Sequence, residues 1–179
     1  TDGRGEEDVK QVGINFGAPG DRVADNGTLW IDYPSVGGPS PEVEIAMNPE
    51  GAVPYRNHAS RIADGDLPWV AASGLEDVRD IQIRLSKTAD TTQSFTVRLL
   101  FAETGNPEPG ARVFDIALQG QPVLPAFDIA KEAAGSWRTV VKEFHGISVS
   151  DLLTISLSPA EGSLAPILSG IEVLVEDAA

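Results

Sequence analysis

The sequence predicts an all-β domain built as an antiparallel sandwich, on three observations. The run SFTVRLLFAE, residues 94–103, alternates polar and apolar side chains at period two, the mark of a half-buried strand. The runs RVFDIALQG (112–120) and DLLTISLSP (151–159) alternate in the same way. Between such runs lie turn-forming segments such as TGNPEPGA (104–111) and PAEGSLAP (159–166), rich in Gly, Pro and Asn. The spine is expected to be a β-hairpin of 94–103 with 112–120, its connection protruding as a loop. A second Phe-Asp-Ile-Ala at 127–130 echoes the one at 114–117, and in each copy Phe and Ile should face the core while Asp faces away.

Composition narrows the class. A chain of 179 residues suits one domain, and 41% hydrophobic residues suffice for a core. With no cysteine, disulfides, thiolate metal sites and a cysteine nucleophile are excluded together. No apolar run approaches the roughly 20 residues of a membrane span. Thirteen basic against 27 acidic residues give a net charge of −14, a field that repels nucleic acid. The same field disfavours anionic glycans unless a local basic patch offsets it.

Taken in order, residues 1–10 (TDGRGEEDVK) hold little that packs and are expected to be a flexible lead-in to a single domain over 11–179. QVGINF (11–16) should be the first strand. In the loop that follows, Asp21 and Asp25, with Asp32 close by, offer oxygen ligands suited to Ca²⁺, although the spacing is not an EF-hand and turn capping explains them as well. Asn26-Gly27-Thr28 has the form of a glycosylation sequon. Trp30 and Tyr33 stand in or beside a Gly/Pro-rich segment, and an aromatic face is what the C–H side of a pyranose stacks on. The competing expectation for Trp30 is a strand start packed in the core.

Residues 48–68 form the longest irregular stretch and carry Tyr55, Arg56, Asn57 and His58 together, an aromatic plate with hydrogen-bonding partners for hydroxyls. A loop pinned to the sandwich by Tyr55 is the plainer alternative. Trp69 is expected to start a strand and to be core. VRDIQIRLSK (78–87) is an amphipathic strand presenting Ile81, Ile83 and Leu85 on one face. A short helical turn is expected at Ala130–Ala134 and a strand at Thr139–Phe144, with Trp137 structural. Leu153, Ile155 and Leu157 should share a face, and ILSGIEVLVE (167–176) should close the sandwich beside the first strand.

The ordered series VGINFGAPG, NGTLWIDYP, LLFAE, RVFDIALQG, FDIAKEAAG and LSGIEVLVE resembles the malectin and malectin-like family over about residues 12–175. That resemblance implies a β-sandwich of the jelly-roll, galactose-binding-like type and a carbohydrate-binding role. It also implies a secreted, periplasmic or cell-surface setting in a bacterium, with further domains of a larger protein as possible neighbours. It puts Trp30 near a ligand-stacking aromatic and Glu161 in a ligand-side loop. In malectin proper, consecutive aromatics after the FAE string grip a glucose disaccharide, whereas residues 104–111 here contain none.

Catalytic chemistry finds few residues. His58 and His145 are the only histidines, no G-x-S-x-G elbow is present, and nothing has zinc-ligand spacing. A glycosidase pair could be drawn only from Asp115 with Asp128 or Glu103, each explicable by strand and turn hydrogen bonding. Taken with the family resemblance, which alone brings in Glu161, the expectation is a non-catalytic carbohydrate-binding module using Trp30, Tyr33, Tyr55, Arg56, Asn57, His58 and Glu161. Its rival is a structural or protein–protein interaction domain with no sugar site.

Overall fold

The alternating runs become strands of two facing sheets in the computed structural model, which describes residues 10–18, 22–33, 45–48, 53–63, 65, 67–86, 92–104 and 108–176. In chain order the strands are β1 (Gln11–Phe16), β2 (Arg22–Val23), β3 (Leu29–Tyr33), β4 (Ile45–Asn48), β5 (Val53–Arg56), β6 (Ser73–Glu76) and β7 (Asp80–Arg84). They continue with β8 (Gln93–Phe101), β9 (Phe114–Leu118), β10 (Gln121–Phe127), β11 (Val140–Val149), β12 (Leu152–Pro159), β13 (Ile167–Leu168) and β14 (Gly170–Val175). A 3₁₀ turn (Ala59–Arg61) and two short helices, α1 (Pro68–Ala71) and α2 (Ile129–Ala133), complete the described elements. The first sheet runs β11-β8-β14-β1-β3-β2, the second β10-β9-β12-β7-β4, and a small third one β13-β6-β5.

The main core lies between the two large sheets. Ile14, Phe16, Val97, Leu99 and Ile171 meet Ile81, Ile83, Phe114, Ile116, Leu153 and Ile155 there. Period two decides which residues these are, because successive side chains leave a strand on opposite faces. Ile81, Ile83 and Leu85 share the inner face of β7, and Leu153, Ile155 and Leu157 that of β12, as their alternation predicts. The last strand closes beside the first, with Gln11 opposite Leu174 and Ile14 opposite Ile171. One pairing, β1 with β3, is parallel.

The expected spine hairpin does not form. β8 sits in the first sheet between β11 and β14, whereas β9 sits in the second between β10 and β12. Alternation identifies the face a strand buries, not the strand it pairs with, and two strands whose apolar faces meet across a core carry the same pattern as a hairpin. The connection instead crosses from one sheet to the other, closed by a buried ion pair in which Arg112 Nε donates to Glu103 Oε2 at 2.8 Å. Arg112 Nη1 donates also to the Ala165 carbonyl. The hairpin of this region is β9–β10, with Leu118 opposite Gln121. Its two-residue turn, Gln119 (φ 52°) and Gly120 (φ 76°), has the double positive φ of a type I′ turn.

The repeated Phe-Asp-Ile-Ala splits for a related reason. In the first copy Phe114 and Ile116 are buried and Asp115 is exposed on a strand. In the second, Asp128 ends the strand and caps α2, its Oδ1 accepting from Lys131 N at 3.1 Å, so Asp128 is buried with Phe127 and Ile129.

On the other face of the first sheet, Trp30, Val70 and Leu100 form a second cluster. Trp30 is fully buried, and room for its indole comes from glycines on the neighbouring strands. A Cβ on Gly13 would fall 2.2 Å from Trp30 Cδ2, and one on Gly170 would fall 3.0 Å from Trp30 Cζ3. α1 covers this cluster through Val70.

Candidate ligand groove

A groove of about 420 Å³ opens between the end of β5 with its 3₁₀ turn and the α1–β6 segment, lined by Arg56, Asn57, His58, Ala59, Trp69, Ala72 and Ser73. Its size is that of a small-molecule site. β5 and β6 pair antiparallel with Arg56 opposite Ser73, which sets the two walls facing each other. Asn57 is tied across the gap, its backbone N–H and its Nδ2 both donating to the Ala72 carbonyl at 2.9 and 3.3 Å. Below the far wall, buried Asn15 accepts from Ser73 Oγ at 3.1 Å and donates to the Trp69 carbonyl at 3.4 Å.

The polar groups are held in defined states. Arg56 Nε donates to the Gly17 carbonyl at 2.8 Å, which leaves its two terminal nitrogens without a partner among the described residues. His58 caps the 3₁₀ turn, Nδ1 accepting from Ser60 N at 3.2 Å and lying 2.8 Å from Ser60 Oγ. With Nδ1 accepting, Nε2 is the ring nitrogen left to donate a hydrogen bond. Trp69 supplies the aromatic surface. It lies in α1 rather than on a strand because Pro68 occupies the first helical position, where its fixed φ favours a helical turn. Its ring is half-buried, meets Trp30 edge-on, and is covered by the Arg22 guanidinium at 4.6 Å.

Of the residues singled out in the sequence, Arg56, Asn57 and His58 come together, and Trp69, expected to be core, joins them. The expected aromatic partners do not. Trp30 is wholly buried between Gly13 and Gly170, so no sugar can reach its face. Tyr55 packs on the main core with its hydroxyl buried over Gly74, 2.5 Å from where a Cβ there would stand. That burial, ahead of every other influence, pushes the Tyr55 pKa up to about 12, with the nearby Ser169 hydroxyl pulling the other way. Ser169 lies close but spends its hydrogen on the Ala71 carbonyl, and the phenol finds no partner of good geometry. Tyr33 packs on the main core, edge-on to Phe16 at 6.2 Å. Glu161 is exposed in the turn after β12 and does not line the groove.

Of the three aspartates considered for Ca²⁺, two are among the described residues. Asp21 lies outside the described residues. Asp25 is exposed in the turn between β2 and β3, whereas Asp32 is buried within β3, three residues past the Val23–Leu29 pair. Among the described residues no group of three His, Asp or Glu is placed to hold a metal. The carboxylates considered for glycosidase chemistry have structural duties. Glu103 pairs with Arg112, Asp128 accepts also from Gly110 N at 2.6 Å, and Asp115 accepts from Ala126 N at 2.7 Å.

Trp137 extends this region. It packs with Ala59, Ile62, Ala71, Ala72 and Ala102 in a small cluster behind the groove, under the Arg61 guanidinium at 4.0 Å. Its backbone (φ 61°) is fixed by Trp137 N donating to the Glu103 carbonyl at 2.8 Å and by Ala63 N donating to the Trp137 carbonyl at 2.7 Å.

Fold and groove together define the class: a β-sandwich domain carrying a candidate binding groove on its loops. Residues 85–164 match the family model of the malectin domain. The groove, at residues 56–73, lies outside that match. A probable LRR receptor-like serine/threonine-protein kinase of Arabidopsis thaliana is 33% identical over 73 residues, covering 36% of this chain and 7% of the kinase. The fold resembles the ANXUR2 extracellular domain of the same plant, with a TM-score of 0.71 at 14% identity over 93% of this chain and 49% of that one. It resembles equally a Bacteroides uniformis β-glucuronidase, with a TM-score of 0.71 at 14% identity over 93% of this chain but 18% of the enzyme. A chain from the structure of the plant peptide RALF23 in complex with FER and LLG2 matches all of this chain with a TM-score of 0.69 at 18% identity, 54% of that chain being covered. This chain thus spans a small part of the kinase and the enzyme and about half of the plant ectodomains.

Proposed function

We propose that this domain is a non-catalytic carbohydrate-binding module and that its saccharide lies in the groove between β5 and α1. The observation that carries the proposal is the meeting of the Trp69 indole with Arg56, Asn57 and His58 around one cleft. An aromatic wall takes the C–H face of a sugar ring, and a few fixed polar groups orient its hydroxyls. The preset backbone ties of Asn57 and Arg56 lower the ordering cost of binding. Similarity in fold to an extracellular plant domain favours a role outside the cell, beside other domains of a larger protein, and a likeness shared by plant and Bacteroides structures singles out no bacterial setting.

A second reading is a protein-binding domain. It draws on the ten-residue strand β11, which ends the first sheet with one side unpaired among the described residues, and on the likeness to a chain crystallised with a peptide. A glycan array probed with and without Ca²⁺, on the wild type and on Trp69→Ala, separates the two. Binding to a defined saccharide class that Trp69→Ala abolishes supports the sugar groove. Silence across neutral and acidic panels in a folded domain contradicts it and favours the protein-binding reading.

A further inference from the structure

The sandwich guards its sheet edges unequally. Among the described residues the outer strands are β2, β4, β5, β10, β11 and β13. β2 and β13 have two residues each, and β4 has four. β5 carries Pro54, and β10 carries Pro122 and Pro125 with two breaks of register. Shortness, proline and bulges keep an edge from recruiting another strand. β11 has ten residues and no proline, and its register with β8 runs unbroken from Val140 to Phe144, ahead of the bulge between Phe144 and Ile147.

That register says which backbone groups of the run are open. In β8 the carbonyls of Ser94 and Leu100 turn to the β14 side, accepting from Glu176 N at 2.8 Å and Ser169 N at 3.0 Å. Alternation along β8 then points Val97, Leu99 and Phe101 at β11, where Phe144, Lys142 and Val140 stand opposite them. Val141 and Glu143, between these, turn N–H and C=O to the open edge. Their side chains are exposed on the outer face, while Val140 and Phe144 are half-buried on the inner face against the main core. Lys142 shares that inner face, where a charge would blunt the edge, but its ammonium donates to Glu132 Oε2 at 2.9 Å and is held to α2.

Resting on the protein-binding reading above, we infer that β11 takes an extended segment of a protein partner as an added strand along Val140–Phe144, and that this segment alternates apolar and basic residues. Its main chain pairs with the N–H and C=O of Val141 and Glu143, which gives affinity, and the alternation gives selectivity. Residues directly opposite across two strands share a face. Apolar side chains of the segment therefore extend the cover over Val140 and Phe144, and basic ones on its other face lie across from Glu143. A domain of net charge −14 attracts a basic segment and repels an acidic one. A second copy of this chain is the poorer occupant, because it brings the same charge.

The test titrates two capped octapeptides, one of Val-Lys repeats and one of Val-Glu repeats, into the ¹⁵N-labelled domain and follows amide shifts and hydrogen exchange. The Val-Lys peptide should slow exchange of the Val141 and Glu143 amides at least about tenfold, and the Val-Glu peptide should not. Val141→Pro removes an N–H that β8 does not use, so the domain stays folded and the Val-Lys peptide binds at least about tenfold more weakly. Methylating alternate backbone nitrogens of the peptide should have the same effect and needs no variant. Equal binding of the two peptides overturns the basic assignment. A concentration-dependent dimer that Val141→Pro dissociates puts a second copy on the edge and overturns the partner. Shifts gathered away from β11 overturn the edge assignment and leave a protein-binding domain. Binding of neither peptide overturns the inference, and the protein-binding reading falls with it where the array yields a saccharide that Trp69→Ala abolishes.

Discussion

The indoles of Trp30 and Trp69 meet edge to face, their centroids 6.0 Å apart and their planes at 88°. One ring is fully buried against the first sheet and the other lines the groove, so the packing of the core sets the position of the site's aromatic wall. Trp30→Ala should cost about 3–5 kcal/mol of stability and weaken ligand binding as well, because Trp69 loses its support. Trp69→Ala should lose binding with a much smaller change in stability. Chemical denaturation and titration on the two variants check the contrast.

Gly13→Ala should destabilise the fold although the added group is one methyl. Its Cβ would fall 2.2 Å from Trp30 Cδ2, and the indole cannot retreat, since the sites of Gly170 and Val70 bound it on the next strand and in α1. Overpacking of this kind costs about 1–3 kcal/mol or more. In the background of Trp30→Leu the same change should be nearly neutral, a coupling that a double-mutant cycle measures.

Arg112→Met should be severe, about 3–5 kcal/mol, because the Glu103 carboxylate, at 1% exposure, would lose the guanidinium it pairs with. Arg112→Met with Glu103→Leu should recover much of the loss. The loop of residues 104–111 that the pair closes should become the first site of proteolytic cleavage in the single variant.

Tyr55 gives a pH dependence of known sign. Its folded pKa, about 12, stands above the ordinary 10.0 because burial disfavours the phenolate. The stability this contributes is full below pH 10 and is lost as pH climbs from there through about 12. A tyrosinate absorbance titration should show one late component that Tyr55→Phe removes. Since the hydroxyl has no partner of good geometry, Tyr55→Phe should cost less than about 1 kcal/mol.

At the acid end, Glu143 has its pKa lowered, chiefly by accepting a hydrogen bond from Arg98. That contribution is present above the ordinary carboxylate pKa and fades as pH falls through the lowered one. Glu143→Gln should flatten the acid limb of a stability–pH curve slightly, the pair being largely exposed.

How far the sequence carried this description depended on the kind of information each feature needs. The strands at 11–16, 80–84 and 152–159 could be read directly, because period-two burial is written in a single segment. Strand partners could not be read, and the hairpin expected of 94–103 with 112–120 dissolved into opposite sheets joined by Glu103 and Arg112. At the site, Arg56, Asn57 and His58 were visible as one cluster of hydrogen-bonding groups. The aromatics were misassigned because ring burial depends on distant neighbours. Gly13 and Gly170 hollow out a bed for Trp30, and Gly74 leaves room for the Tyr55 hydroxyl. The clue for Trp69 was Pro68 before it, a helix-starting signal inside what looked like a strand.

The central claim, that the groove between β5 and α1 holds a saccharide against Trp69, is tested most directly by titrating the array's best ligand into wild type, Trp69→Ala and Tyr33→Ala. The account predicts at least about a tenfold loss of affinity for Trp69→Ala, a wild-type affinity for Tyr33→Ala, and folded protein in each case. Undiminished binding by folded Trp69→Ala would place the ligand elsewhere and contradict the account.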